Sequence, residues 1–174
     1  MAKFIVIDET RCLACGQCMV ECAMAHTEAD TLAEAISADS TAQPRVHVEP
    51  RGKGGTPMQC RHCEGDAPCM AICPVDAIQR LVPDGPVLLN EEDCIGCKKC
   101  LSACPFGAIY LPRGDSKIVV KCDLCIARTE AGEEPACVAG CPTGACRASR
   151  PSWAPRPRKR SPSTSSANCR SAAS

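Results

Sequence analysis

The chain is 174 residues long, balances twenty Lys/Arg against twenty Asp/Glu, and contains eighteen cysteines but only four Phe, Tyr or Trp residues. So few aromatics exclude an ordinary side-chain core at this length, and fifteen prolines with twelve glycines interrupt long regular elements. No uncharged apolar run is long enough to cross a bilayer, and residues 1–9 offer only four apolar residues before an acidic pair, so neither a signal peptide nor a twin-arginine export signal is expected. In a reducing cytoplasm, cysteines at this density are expected to hold metal rather than one another.

Taken in chain order, sixteen of the cysteines fall into four groups of four. The first is Cys12, Cys15, Cys18 and Cys22, followed by Ala23. A 37-residue insertion leads to the second, Cys60, Cys63, Cys69 and Cys73, which ends in Pro74. Within the insertion, residues 23–38 predict a helix that continues from the cysteine helix and breaks near Thr31. Residues 44–49 alternate like a short strand, and residues 51–55 read as a mobile turn, because no lysine-serine ending follows to make a phosphate loop. This insertion is the candidate partner-facing surface; its plainer reading is a loop covering a metal site.

The twenty residues from Pro74 to Asp93 predict a hairpin with Val87-Leu88-Leu89 as one strand. The third group, Cys94, Cys97, Cys100 and Cys104, ends in Pro105, and the fourth, Cys122, Cys125, Cys137 and Cys141, ends in Pro142. Beyond Cys146, residues 147–174 hold seven basic and no acidic residues in a Ser/Pro-rich context and are expected to be a disordered basic tail. Without it, residues 1–146 carry a balance of minus seven.

The third group fits the C-x2-C-x2-C-x3-C-P run of two-cluster bacterial ferredoxins, in which three thiolates wrap one [4Fe-4S] cluster and the fourth reaches another. Zinc favours two separated Cys-x2-Cys knuckles around one tetrahedral ion. The remaining groups are variants with wider middle gaps. Cys73-Pro74-Val75-Asp76-Ala77-Ile78, Cys104-Pro105-Phe106-Gly107-Ala108-Ile109 and Cys141-Pro142-Thr143-Gly144-Ala145-Cys146 are three copies of one turn. Cys146 takes the place of Ile78 and Ile109 and reads as a buried filler, and Cys169 as a free thiol in the tail.

Ferredoxin pairing implies exchange of the fourth cysteine between groups. Groups two and three then give Cys60, Cys63, Cys69 and Cys104 on one cluster, with Cys73, Cys94, Cys97 and Cys100 on another. Groups one and four give Cys12, Cys15, Cys18 and Cys141, with Cys22, Cys122, Cys125 and Cys137. The expected fold is α+β: two interlocked 2[4Fe-4S] ferredoxin-like units with short strands, short helices and long cluster-binding loops. Residues 1–59 with 111–146 form the outer unit, which includes insertion 23–59, and residues 60–110 form the central one. His26, His47 and His62 are left outside the coordination shells, with His62 adjusting polarity between Cys60 and Cys63. No catalytic grouping is found.

With Cys22-Ala23-Met24-Ala25-His26 and the insertion, this pattern resembles the four-cluster ferredoxin-type electron-transfer subunits of carbon monoxide dehydrogenases, hydrogenases, formate dehydrogenases and molybdopterin oxidoreductases. Over residues 3–146 it looks most like the carbon monoxide dehydrogenase subunit. The resemblance implies a non-catalytic cytoplasmic carrier passing single electrons through four [4Fe-4S] clusters from carbon monoxide dehydrogenase towards a hydrogenase or other acceptor. Membrane contact would come only through a partner complex. A formate dehydrogenase, hydrogenase or molybdopterin system is the alternative setting, and an iron-sulfur regulatory or nucleic-acid-associated scaffold is a different class of reading, carried only by the basic tail.

Overall fold

The computed structural model describes residues 4–37, 43–83, 85–112 and 116–149. Strand β1 (Phe4–Ile7) leads through a 3-10 turn (Glu9–Arg11) to helices α1 (Gln17–Met24) and α2 (Leu32–Ser37). A hairpin of β2 (Val46–Arg51) and β3 (Gly54–Gln59) follows, then α3 (Pro68–Ala71), β4 (Ile78–Arg80) and β5 (Val87–Leu89). After α4 (Lys99–Ala103) come β6 (Ile109–Tyr110), β7 (Val120–Lys121), α5 (Ile126–Glu130), α6 (Ala136–Ala139) and β8 (Cys146–Ser149). These short helices and strands make a small mixed fold, as the cysteine loops demand.

Among the described residues, the strands pair as four antiparallel two-stranded sheets: β1 with β8, β2 with β3, β4 with β5 and β6 with β7. The hairpin expected between Pro74 and Asp93 is present, with Ile78 opposite Leu89. The first sheet joins segments far apart in sequence, Phe4 facing Ser149 and Ile7 facing Cys146. It is extended by the Asp8 amide, which donates to the Ala145 carbonyl at 2.8 Å. Arg147 therefore does not begin the tail: residues 147–149 belong to β8, and an ion pair holds Arg147 to Asp8 at 3.5 Å. Residues 150–174, with Cys169, lie outside the described residues.

The insertion also differs from its sequence reading. One broken helix over 23–38 is replaced by α1, ending at Met24, and α2, starting at Leu32. His26 Nδ1 lies 2.6 Å from the Cys22 carbonyl, while the His26 amide donates to Ala23 instead, so the helical ladder stops there. Residues 51–55 close the β2–β3 hairpin, with Arg51 opposite Gly54 and Gly52 at φ 54°.

Two cores result. One joins Ala67, Ile78, Val87, Ile109 and Val119 to Cys69 and Cys100. The other is built from Cys18, Cys22, Val46 and Cys137. Cysteines thus occupy interior positions that aromatics fill elsewhere.

Candidate metal centres

All four Cys-x-x-Cys loops share one backbone device. The residue two after the first cysteine has positive φ in each: Ala14 (55°), His62 (45°), Gly96 (67°) and Leu124 (61°). The three Cys-Pro turns likewise place Asp76 (51°), Gly107 (57°) and Gly144 (62°) in the left-handed region. Such turns point successive amides inwards, making anion-binding concavities. The His62 amide lies 3.4 Å from Cys60 Sγ, and the Leu124 amide 3.4 Å from Cys122 Sγ. Arg45 gives its amide to Cys22 Sγ at 3.1 Å, and Cys146 gives its amide to Cys141 Sγ at 3.5 Å.

The thiols converge. Cys60, Cys63, Cys69 and Cys104 wall one cavity, and Cys73, Cys94, Cys97 and Cys100 wall another. Burial pushes the Cys69 thiol up to about 11, with the Lys121 ammonium opposing and the neighbouring Cys60 and Cys104 adding to the rise. Cys100 is raised by burial, against its own backbone amide, and then by Cys97, Cys94 and Cys73. Cys137 is raised by burial and by Cys122, Cys22, Cys125 and Cys18. Cys122 is raised by burial, against the Leu124 amide, and by Cys60, Asp123 and Cys22. A fourth gathering holds Cys18, Cys141 and Cys146. A hydrogen bond from Cys146 draws the Cys18 thiol down to about 7, and Cys146 is raised by that bond, by burial, and by Cys18, Cys137 and Cys141. Cys12 is partly buried ahead of α1, and Cys15 is exposed there.

Buried thiols crowded by other thiolates need cations to hold them ionised. Sets made wholly of thiols, with amides aimed at sulfur and largely apolar cavity walls, fit iron-sulfur clusters. These residues therefore suit the group, and a bound cluster supplies one-electron chemistry where it sits.

The sequence placed His62 beside these thiols but gave no sign of the bonds that polar groups make around them. Asp123 accepts from the Cys125 amide at 3.0 Å, meets His26 Nε2 at 3.0 Å and pairs with Arg45 at 3.0 Å. Burial opposes charge on His26, but the Asp123 carboxylate and the Cys22 groups prevail and lift it to about 10. Burial likewise opposes charge on Asp123, yet His26 and Arg45 hold it at about 2. No local spacing could reveal a bond between residues 97 apart in sequence. Gln59, His62 and Lys121 are the buried polar or charged residues, and both Gln59 amide atoms, His62 Nε2 and the Tyr110 hydroxyl lack a hydrogen-bond partner among the described residues. Burial drives His62 down to about 3, so its ring is neutral. His47 packs edge-on against Tyr110, with ring centroids 4.9 Å apart.

Comparison with known proteins matches residues 55–150 to the 4Fe-4S dicluster domain and residues 9–25 to a 4Fe-4S binding domain. An iron-sulfur protein of Rhodospirillum rubrum is 41% identical over 157 residues, covering 82% of this chain and 80% of its own length. The electron transport protein HydN of Escherichia coli K12 is 38% identical over 159 residues, covering 83% and 86%. Subunit 2 of the formate hydrogenlyase of the same organism is 38% identical over 98 residues, covering 56% of this chain and 42% of the subunit. Against two longer E. coli relatives, the match spans 21% of their length. Among the described residues, no helix is long and apolar enough to cross a membrane.

Proposed function

Because the chain belongs to the 4Fe-4S dicluster family, and is an electron-transport iron-sulfur protein carrying multiple [4Fe-4S] clusters, we propose that it relays single electrons through four of them. The ligand sets in this reading are Cys12, Cys15, Cys18 and Cys141; Cys22, Cys122, Cys125 and Cys137; Cys60, Cys63, Cys69 and Cys104; and Cys73, Cys94, Cys97 and Cys100. The observation that carries it is the contiguity of the thiol groups: Cys18, Cys22 and Cys137 pack in one core, Cys69 and Cys100 in the other, and Cys60 acts on Cys122 between them. That contiguity supports a linear order in which the four sets follow one another as written. The same reading divides the chain into interlocked ferredoxin-like units, residues 1–59 with 111–146, to which β8 adds residues 147–149, and residues 60–110. The protein's own groups bind the clusters, exclude water and donate N–H bonds to sulfur; they perform no bond-making chemistry.

As to partners, the similarity to a formate hydrogenlyase subunit favours a formate- or hydrogen-oxidising enzyme at one end and a second redox protein at the other. Carbon monoxide dehydrogenase, the donor implied by the sequence resemblance, is the competing candidate. The relay is read as cytoplasmic, meeting a membrane only through a partner. Anaerobic purification should yield about sixteen irons per chain, and the loaded protein should be reduced rapidly by formate dehydrogenase or hydrogenase with its substrate. About four zinc ions per chain would overturn the cluster reading. Rapid reduction by carbon monoxide dehydrogenase alone would reassign the donor.

A further inference from the structure

Val87 is fully buried, and its two backbone polar groups point away from the strand it pairs with. In an antiparallel ladder, hydrogen-bonded and non-bonded pairs alternate. The Asn90 amide donates to the Ala77 carbonyl at 2.7 Å, so pair 79/88 is also a bonded one and Arg80/Val87 is not. The Val87 amide and carbonyl are therefore satisfied from outside the hairpin. The amide donates to His62 Nδ1 at 3.1 Å, and the carbonyl accepts from the Lys121 ammonium.

This division fixes the imidazole tautomer. Nδ1 lies 3.1 Å from both the Val87 amide and the Val87 carbonyl; the carbonyl already accepts from Lys121, so the tautomer that satisfies the amide as well has Nδ1 accepting and its proton on Nε2. That nitrogen is buried and has no hydrogen-bond acceptor among the described residues, and His62 as a whole is only 2% exposed. A buried donor without a partner is costly. His62 is among the residues lining the cavity walled by Cys60, Cys63, Cys69 and Cys104, and its own amide lies 3.4 Å from Cys60 Sγ. His62 also takes, at φ 45°, the left-handed conformation that all four Cys-x-x-Cys loops share.

Lys121 is 3% exposed and donates to the carbonyls of Val87 and Cys122. No carboxylate pairs with it among the described residues, yet its charge reaches Cys69. A buried cation left without a carboxylate is balanced by whatever negative charge lies nearby. Here that charge belongs to the thiolates and the reduced cluster they hold.

Building on the ligand sets above, we infer that Lys121 and His62, clasping Val87 between them, tune the cluster of Cys60, Cys63, Cys69 and Cys104 to a higher reduction potential than it would otherwise have. Lys121 acts through its charge and His62 through the Nε2–H donated to sulfur. Both are positioning residues; neither is a ligand. Hydrogen bonds to sulfur and net charge are recognised levers on cluster potential.

The test is a reductive titration of the full loaded chain, followed by electron paramagnetic resonance. The step of interest is identified as the one lost in Cys63→Ala. In Lys121→Met this step should become at least tenfold harder to reduce, about 59 mV for one electron, with the other steps unmoved. Lys121→Arg should keep it in place. His62→Leu should shift the same step in the same direction, whereas His62→Asn, which retains an N–H donor, should shift it less. Leucine is suited to the position, since Leu124 holds the equivalent backbone conformation. Should Lys121→Met fail to assemble, Lys121→Gln and His62→Leu decide the matter by the same reading. Full iron content with an unmoved step, or equal movement of all steps, overturns the inference. An iron deficit in the unmutated chain instead overturns the ligand reading on which it rests.

Discussion

Three non-glycine residues, Ala14, His62 and Leu124, hold the left-handed conformation at the same place in three cysteine loops. Each costs about 1–2 kcal/mol relative to ordinary backbone, a cost offset when the turned amides meet anionic sulfur. Cys146 shows the converse, a cysteine with no ligand role in the four sets: its side chain takes the place of Ile78 and Ile109 in the repeated turn and gives a hydrogen bond to Cys18. Cys146→Ala should therefore keep about sixteen irons per chain, whereas Cys125→Ala should lose about four; colorimetric iron analysis of both variants distinguishes them. Asp123 combines the Cys125 amide, His26 and Arg45 in one bonded knot at the edge of the Cys22, Cys122, Cys125 and Cys137 group. Asp123→Asn keeps the shape but loses the charge that holds both cations. It should cost about 1.5–3 kcal/mol, seen as a lower denaturant midpoint for cluster release.

At the scale of elements, the insertion is cover for the first cysteine group as well as surface. Its Val46 is buried with Cys18, Cys22 and Cys137, and its Arg45 amide reaches Cys22 Sγ. A Cβ on Gly54 would stand 2.6 Å from the Cys12 carbonyl, too close for any real contact and with only backbone to yield. Gly54→Ala should lift β3 from the Cys12 loop and lower iron content by about one cluster, four irons, while its exposed neighbour Lys53→Ala should change nothing. Iron analysis on the two variants checks this. The sequence reading could find the β4–β5 hairpin because Val87-Leu88-Leu89 is a short apolar run between two cysteine-proline markers. It could find the helix start at the cysteines but not the helix stop, because the His26 side chain that takes the Cys22 carbonyl acts through geometry. Pairing of β1 with β8 was equally hidden: Cys146 to Ser149 is a four-residue strand whose partner lies at the opposite end of the described chain. The sequence placed His62 between Cys60 and Cys63 as a group adjusting polarity, but it gave no sign of Lys121, since burial of a charge is a tertiary fact.

For the whole molecule, exposure marks the ends of the proposed relay. Cys15 and Cys97 are the exposed cysteines among the described residues, and each sits beside a large exposed apolar residue, Leu13 at 65% and Ile95 at 64%. In the linear order, these loops belong to the first and last ligand sets. Tunnelling between redox centres weakens steeply with distance, so a partner must dock where a cluster approaches the surface. The two ends differ in charge: the Cys97 end carries exposed charge of both signs, Glu91, Glu92 and Asp93 before Cys94 and Lys98 and Lys99 after Cys97, whereas residues 12–20 around Cys15 carry none. A partner docking at the Cys97 end should thus be the more sensitive to added salt. Leu13→Glu and Ile95→Glu place a charge in one apolar contact each without touching a cysteine. Stopped-flow reduction by a donor and oxidation by an acceptor should each slow about tenfold in one variant and hold steady in the other, with the Ile95→Glu-sensitive reaction also the more salt-sensitive. Equal slowing of both reactions in both variants would mean that donor and acceptor share one face, and the linear relay would have to be abandoned.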